Sequence, residues 1–298
     1  MITRTQRFKP DVAQLVTDQI IEALERGVIP WKKPWRKELP RNITGRHYHG
    51  VNLLLLALSP HASPFYLTFK QANELGGMVR AKSSGFRVIY WRILEHLSPE
   101  GEITTIPLLK YYTVFNLEQT TGIPEERLPK LSEQHINPIG ECEQVWADMP
   151  NKPALLSAQE AFYERKSDTV GIPPIDRFVS AEEYHSTLFH ELVHSTGHPK
   201  RCNRDNRYGE LGYREAYSTE ELIAEIGSSF LCANTGIAPR TINNQASYIS
   251  YWLARLKSDK RLIISAAAAA QKASDYILHL PGEINFNQCT WLGDYYAN

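Results

Sequence analysis

The sequence predicts an α+β protein in which a small α+β domain is followed by a mainly helical domain. The first observation is charge: the net charge is zero, but residues 1–92 hold 15 Lys and Arg against 6 Asp and Glu, and the remainder holds 18 against 27. The second is a polar stretch after residue 123 that five prolines interrupt. The third is apolar spacing, which is mainly helical after residue 155. We therefore expect domains at 1–128 and 155–298, joined by a linker or wrapping segment at 129–154.

Composition excludes several protein classes. The chain has 298 residues, of which 42% are apolar and 22% charged, as in ordinary globular proteins. Its longest nearly apolar stretch, 262–270, is about half the length of a membrane helix, and its polar, basic start predicts no secretory signal. Four widely spaced cysteines without a CxxC pair suit a reducing compartment. We therefore expect a cytoplasmic protein with no membrane partner.

Local signals divide both domains into elements. Asp11 can cap a first helix that ends at Gly27, because the apolar residues between them recur at helical spacing. Ser180 and Ser218 are predicted to begin helices in the second domain. The remaining pattern predicts a basic loop at 28–50, helices at 51–58, 71–78 and 241–280, and strands at 63–69, 85–93, 104–115 and 169–174.

The sharpest motif is the HExxH sequence formed by His190, Glu191 and His194. On a helix, residues four apart lie on one face, so both imidazoles can bind one Zn²⁺. Glu191, between them, can reach the water that such an ion activates and serve as general base. This pattern is typical of metallopeptidases. Two hydrogen-bonded histidines on a partly buried helix are the structural alternative.

A third ligand distinguishes these interpretations. Glu221 follows on a predicted helix and is similar to the third ligand of thermolysin-type sites, with Glu225 one turn later to accept a ligand histidine N–H. Glu220 or Glu225 is the alternative ligand, and Ser218 with Glu221 also fits a capping box. We expect His198 to be a turn residue, with a role at the metal as the alternative. Candidate oxyanion donors are Tyr208, Tyr213 and Tyr217.

The N-terminal domain combines cations with aromatic rings. Cations neutralise phosphates and flat rings stack on unpaired bases, so the combination favours single-stranded DNA, with duplex DNA as a second candidate. The candidate contacts are Trp31, Lys32, Lys33, Trp35, Arg36, Lys37, Arg41, Arg46 and Tyr48 in the basic segment (residues 31–48), and then Lys70, Arg80, Lys82, Arg87, Tyr90, Trp91 and Arg92. The alternative is a solvated basic face, and at least one tryptophan is expected in the core in either case.

These pieces together resemble the ArdC antirestriction family. The phrases DVAQLVTDQIIEALERGVIPWKKPW, TGRHYHGVNLLLLAL, YLTFKQANELGG and KYYTVFNLEQ resemble its N-terminal single-stranded-DNA-binding domain, which related plasmid primases share. FHELVHSTGHPKR and STEELIAEIGSSFLCANTGI resemble the zincin-like metallopeptidase domain that follows in ArdC. The resemblance implies a plasmid protein that protects incoming conjugative DNA from host restriction, in the cytoplasm or after transfer to the recipient cell. It also implies that His190, His194 and an acid within 220–225 bind the metal, with Glu191 catalytic.

Three functional hypotheses follow. The first is a DNA-directed zinc peptidase, with Mn²⁺ as the alternative ion and an unidentified protein substrate. The second is a DNA-binding, occluding protein whose metal domain is structural or vestigial. The third is a peptidase whose basic face binds an acidic protein.

Overall fold

The computed structural model describes residues 11–33, 38–97, 103–129, 137–204, 213–239 and 245–280. Its helices are α1 (Val12–Glu25), α2 (Val51–Ala57), α3 (Phe69–Glu74), α4 (Pro138–Asp148), α5 (Ala181–Ser195), α6 (Tyr213–Thr235), α7 (Gln245–Ser258) and α8 (Leu262–Ile277). Its strands are β1 (Arg41–Asn42), β2 (Phe65–Leu67), β3 (Met78–Val79), β4 (Phe86–Leu97), β5 (Ile103–Asn116), β6 (Thr120–Thr121), β7 (Ala154–Ser157), β8 (Phe162–Glu164) and β9 (Thr169–Ile172). The α+β class is confirmed. None of the helices in the described ranges is long and apolar enough to cross a membrane.

The N-terminal half is built on a long antiparallel hairpin. Strands β4 and β5 pair in register from Phe86 opposite Val114 to Leu97 opposite Ile103. Strands β2 and β1 extend this sheet in the order β1-β2-β5-β4, and β3 pairs with β6 in a separate two-stranded sheet. Helix α1 begins as predicted, since the Asp11 carboxylate accepts hydrogen bonds from the Ala13 and Gln14 backbone N–H groups.

The C-terminal half is a layer of helices on a three-stranded sheet. Strand β9 is central, parallel to β7 and antiparallel to β8. Helices α5 and α6 pack closely because Gly227 has no side chain: a Cβ there would lie 2.9 Å from Val193 Cγ2. This close approach brings the two helices that carry the predicted metal ligands together.

The two halves share one hydrophobic core. A single cluster of buried apolar side chains includes residues from α1, α2, the hairpin and α4 to α8. Polar contacts also join the halves: Thr17 Oγ1 donates to the Lys260 carbonyl at 2.7 Å, and the Gly50 N–H donates to Gln271 Oε1 at 2.9 Å. The proposed boundaries therefore separate sequence segments that pack as one body.

Several predicted elements differ from the structure. Helix α4 lies in the predicted linker, because Asn137 caps it and Pro138 suits its first turn. Helix α6 begins at Tyr213, so the predicted start at Ser218 is wrong and Ser218 lies inside the helix. Helix α3 begins earlier than predicted, since Thr68 and Gln71 form a capping box. The predicted helical stretch 241–280 is two helices, α7 and α8.

Candidate metal centre

Helix α5 presents the HExxH residues from a buried position. The Ser180 hydroxyl accepts a hydrogen bond from the Glu183 N–H at 3.2 Å and caps the helix. Its apolar face is fully buried, at Leu188, Phe189, Leu192 and Val193. Packing on that face fixes the helix rotation and therefore the direction of the histidine side chains.

Three side chains of α5 and α6 converge on one point. His190 Nε2 and His194 Nε2 are 3.2 Å apart. The two carboxylate oxygens of Glu221 lie 3.6 Å from His190 Nε2 and 3.5 Å from His194 Nε2. Ligands that surround a Zn²⁺ tetrahedrally at its usual bond lengths are about 3.3 Å apart. The donor set His190, His194 and Glu221 therefore fits a divalent ion, and it is the one such cluster within the described ranges.

Nearby charges shift the pKa values of His194 and Glu221. Burial lowers the pKa of His194, but the hydrogen bond with Glu220 and the nearby charges of Glu221 and Glu191 outweigh burial, so this pKa lies above its ordinary value. Burial raises the pKa of Glu221, but a hydrogen bond with His190, the charges of both histidines and a hydrogen bond from Tyr217 hold it below its ordinary value. The site therefore concentrates negative charge beside the imidazoles, as a cation site requires.

The carboxylate that faces the rear of His194 is Glu220. Its Oε1 lies 3.4 Å from His194 Nδ1, and Arg204 holds both of its oxygens. This is the position of a group that orients a ligand imidazole. The predicted orienting role of Glu225 is wrong in this structure, because Glu225 forms an ion pair with Lys32 instead.

Two family models match the chain. The N-terminal domain of anti-restriction factor ArdC matches residues 10–115, and a zincin-like metallopeptidase matches residues 144–269. Two crystal structures of the antirestriction ArdC protein from plasmid R388, one metal-free and one Mn(II)-bound, have TM-scores of 0.74 and are 36% identical. They cover 90% and 91% of this chain and 97% and 98% of their own. The chain belongs to the ArdC antirestriction family.

Other relatives share most of this ArdC-family chain. A DNA primase TraC of Escherichia coli is 32% identical over 88% of the chain, and a second TraC of that species is 31% identical over 89%. The chain spans only 26% and 20% of their lengths. The uncharacterized protein y4eC of Sinorhizobium fredii is 29% identical over 92% of the chain and 94% of its own length.

Three predicted DNA contacts in the described part of the basic segment of this ArdC-family protein point inward. Trp31 is completely buried, and its indole N–H donates to the Tyr248 hydroxyl at 2.8 Å. Tyr48 is buried against Tyr66. Both predictions of DNA stacking are wrong in this structure, since neither ring has a free face. Lys32 is also unavailable, because its ion pair with Glu225 leaves only 13% of its side chain exposed.

Two further cations of the segment are half-buried. Lys33 donates to the Ser59 carbonyl at 3.3 Å, and Arg41 pairs with Glu38 above the Phe65 ring. Arg46 is exposed. The predicted contacts Trp35, Arg36 and Lys37 lie outside the described residues, and the side chains of Trp91 and Arg92 do so as well.

The second group of predicted DNA contacts is mostly exposed. Arg80 and Lys82 lie in the turn between β3 and β4, and Arg87 follows on β4. The Arg87 guanidinium stands 5.9 Å from the ring centre of Tyr111, which is 40% exposed. Lys70 is exposed on α3, 3.8 Å from Glu74. The β3–β4 turn and β4 therefore carry exposed cations, and Arg87 lies beside a partly exposed aromatic ring.

Sequence reasoning missed several residues of these sites. Tyr111 could have been found from the alternation of the KYYTVFN strand; in the structure it pairs with Ile89 of β4. Arg204 had no sequence signal, because its partner Glu220 lies 16 residues later, outside any local motif. His198 is a turn residue, as expected, and accepts the Lys200 N–H. Of the candidate oxyanion donors, Tyr217 hydrogen-bonds Glu221. Tyr208 and the side chain of Tyr213 are outside the described residues.

Proposed function

We propose that this protein is a metal-dependent peptidase that binds single-stranded DNA and protects incoming conjugative DNA from restriction in the cytoplasm. The observation that carries the peptidase part is the convergence of His190, His194 and Glu221 beside Glu191. Two imidazoles and one carboxylate leave a coordination position open, which is typical of catalytic rather than structural zinc sites. Zn²⁺ is the proposed ion, with Mn²⁺ as the alternative because an ArdC relative binds Mn(II).

The proposed reaction uses the chain's own acid and base groups. His190, His194 and Glu221 would hold a divalent ion here, which would supply Lewis-acid polarisation of a peptide carbonyl and a more acidic water. Glu191, buried on the same helix turn as both histidines, accepts the proton from water and returns it to the leaving amine. His194 keeps its Nε2 toward the ion because Glu220 holds its Nδ1. Tyr217, hydrogen-bonded to Glu221, is the proposed donor to the developing oxyanion.

The proposed DNA surface is the turn and strand that carry Arg80, Lys82 and Arg87, with Tyr111 beside them. Exposed cations at this face can neutralise phosphates, and the ring can stack on an unpaired base. Duplex DNA hides its base faces, so single strands are the preferred partner. The net charge of residues 1–92 supports the same assignment.

The peptidase proposal is tested by cleavage of an unfolded protein and of the chain itself. Purified protein loaded with Zn²⁺ or Mn²⁺ is compared with Glu191→Gln, with and without single-stranded DNA. We expect cleavage that Glu191→Gln abolishes while metal binding is retained, because Gln cannot accept the proton. Equal cleavage by both proteins would refute Glu191 as base. Intact DNA binding with no cleavage of any substrate would favour the non-proteolytic occluding function.

The DNA proposal is tested with a charge-matched pair of triple variants. Arg80→Gln/Lys82→Gln/Arg87→Gln is expected to weaken single-strand binding. The negative slope of log K against log salt should become shallower by about 0.7 for each phosphate that the protein no longer neutralises. The control removes three exposed cations of the other half, Lys166, Lys200 and Lys272, and should leave binding unchanged. Equal weakening in both variants would mean nonspecific attraction. Competition by an acidic protein but not by DNA would favour the third hypothesis.

A further inference from the structure

Arg204 is densely hydrogen-bonded for a residue outside the predicted motifs. Its Nε lies 3.1 Å from Glu220 Oε2, and its Nη2 donates both to Glu220 Oε1 and, at 2.8 Å, to the Val193 carbonyl. Nη1 donates to Thr196 Oγ1. Only 12% of its side chain is exposed. The Arg204 guanidinium therefore links the C-terminal end of α5 to Glu220, the residue of α6 that precedes the predicted ligand Glu221.

A clamped loop delivers Arg204 to this position. The Cys202 N–H donates to the Thr196 carbonyl at 2.9 Å, which folds the chain back onto the end of α5. Arg201, with a fully buried side chain, donates to the Ser195 carbonyl at 2.7 Å and pairs with Asp168. Arg201 contacts neither Glu220 nor a metal ligand in these bonds. Arg201 thus holds the loop against the end of α5, and Arg204 extends from the same loop to Glu220 at the metal centre.

We propose that Arg204 is a positioning residue for the metal site, acting through Glu220 on His194. This inference rests on the proposed metal centre and adds a residue that contacts the partner of a metal ligand. The guanidinium donates hydrogen bonds to both carboxylate oxygens, and this bidentate contact fixes the orientation of the Glu220 carboxylate. With that orientation fixed, Glu220 Oε1 stays beside His194 Nδ1 and the opposite nitrogen, Nε2, faces His190 and Glu221.

The burial of Glu220 makes this bidentate contact necessary. Its side chain is 14% exposed, and a carboxylate that loses its cation in such a place is strongly destabilised. Without Arg204, Glu220 is expected to turn toward water and release His194 Nδ1. The imidazole then loses the hydrogen bond that fixes its orientation and its tautomer. The predicted consequence is weaker metal binding, with the three ligands all intact.

The test is a double-mutant cycle read out by metal affinity. Zn²⁺ binding to the full chain is measured by calorimetry, and Co²⁺ binding by its visible absorption, for the unmodified protein, Arg204→Gln, Glu220→Gln and the double variant. We expect each single substitution to weaken binding by about 10- to 100-fold, the range for groups that orient metal ligands. The double variant should bind no more weakly than Glu220→Gln alone, because Arg204 acts through Glu220.

Two controls separate positioning from general stabilisation. Arg204→Lys keeps the charge beside Glu220, so we expect it to fold even if Arg204→Gln does not. Its metal affinity should lie between those of the unmodified protein and Glu220→Gln, since one ammonium cannot bind both oxygens in the way that a guanidinium does. Lys200→Gln removes a neighbouring exposed cation and should bind metal normally.

Several outcomes would overturn the inference. The first is an unchanged metal affinity in both Arg204 variants. The second is a loss of affinity in the double variant that equals the sum of the two single losses. The third is a loss in Glu220→Gln as complete as that in Glu221→Gln, which would make Glu220 a ligand. Failure of the unmodified protein to bind either ion would overturn the proposed metal centre itself, and the Arg204 inference with it.

Discussion

The α5–α6 helix pair and the basic segment both concentrate charged side chains, but they arrange them differently. In the helix pair, His190, His194 and Glu221 point at one shared location. In the basic segment, three cations point to three separate partners: Lys32 to Glu225, Lys33 to the Ser59 carbonyl, and Arg41 to Glu38. Converging groups of this kind form a binding site, whereas dispersed groups fasten a segment to the body of the protein.

The two regions differ in whether their charged residues already have partners within the protein. In the helix pair, two imidazoles and a carboxylate gather around one point, and a divalent ion bound there would accept all three as ligands at once. Lys32 and Glu225 satisfy each other at once. This contrast predicts that substitutions in the basic segment mainly change stability, while substitutions in the helix pair mainly change metal binding.

The largest expected effect is from Trp31→Ala. The indole is completely buried, contacts Trp252 edge-on and donates to Tyr248, so its removal leaves a large cavity and should lower the free energy of unfolding by about 3–5 kcal/mol. Denaturant unfolding measures the loss, and Trp31→Phe should lose less. An unchanged midpoint combined with weaker DNA binding would restore Trp31 as a DNA contact.

Lys32→Met should destabilise the protein by about 3 kcal/mol, because it leaves the nearly buried Glu225 carboxylate without its cation. Adding Glu225→Met should recover most of that loss, since two apolar side chains fill the space without an uncompensated charge. Thermal unfolding of the single and double variants checks this. If the double variant were as unstable as the single one, the ion pair would not explain the effect.

Glu221→Gln should weaken Zn²⁺ binding by more than about 100-fold, which exceeds the effect of groups that merely orient ligands and corresponds to about 2.7 kcal/mol. Glu225→Gln should leave binding nearly unchanged, because its carboxylate pairs with Lys32. Calorimetric titration of both folded variants makes the comparison. The opposite order would reassign the third ligand to Glu225.

The smallest effect concerns Asp168, which pairs with Arg201 beside the metal helices. Burial alone would raise the pKa of Asp168, but hydrogen bonds from Arg201 and Tyr163 outweigh it and hold this pKa below its ordinary value of 3.8. The folded state therefore gains stability above the unfolded pKa and loses it as pH falls through the folded pKa.

Asp168→Asn should consequently lower stability at pH 7 by about 1–3 kcal/mol. The difference between the variant and the unmodified protein should shrink as pH falls below about 4. Urea unfolding from about pH 3 to 7 checks both expectations. A difference that stayed constant over this range would show that Asp168 stabilises the loop by an interaction independent of its charge.

The sequence could predict the metal helices well because their information is local. Residues four apart meet on one helix face whatever the tertiary structure, so His190 and His194 were certain to be neighbours once α5 formed. Glu221 required a second helix at a suitable distance, and Gly227 supplies the close approach. Assigning the histidine-orienting carboxylate to Glu225 failed because the helix rotation turns Glu225 toward Lys32 and Glu220 toward His194.

The basic segment could not be predicted in the same way because composition does not specify direction. Trp31 and Lys32 look equally suited to nucleic acid and to a core with one buried ion pair. The partners that decide between these roles, Tyr248 and Glu225, lie about 200 residues later in the chain. Interactions at that separation leave no signal in local spacing, so only the folded structure distinguishes them.

The bond between Thr17 and the Lys260 carbonyl spans 243 residues, and this separation has a consequence for synthesis of the chain. Helix α1 leaves the ribosome long before α7 and α8, which form part of the surface that buries it. At about 5–20 residues per second, α1 waits roughly 10–50 s for that surface. During this interval its apolar stripe is open to chaperones and to other nascent chains.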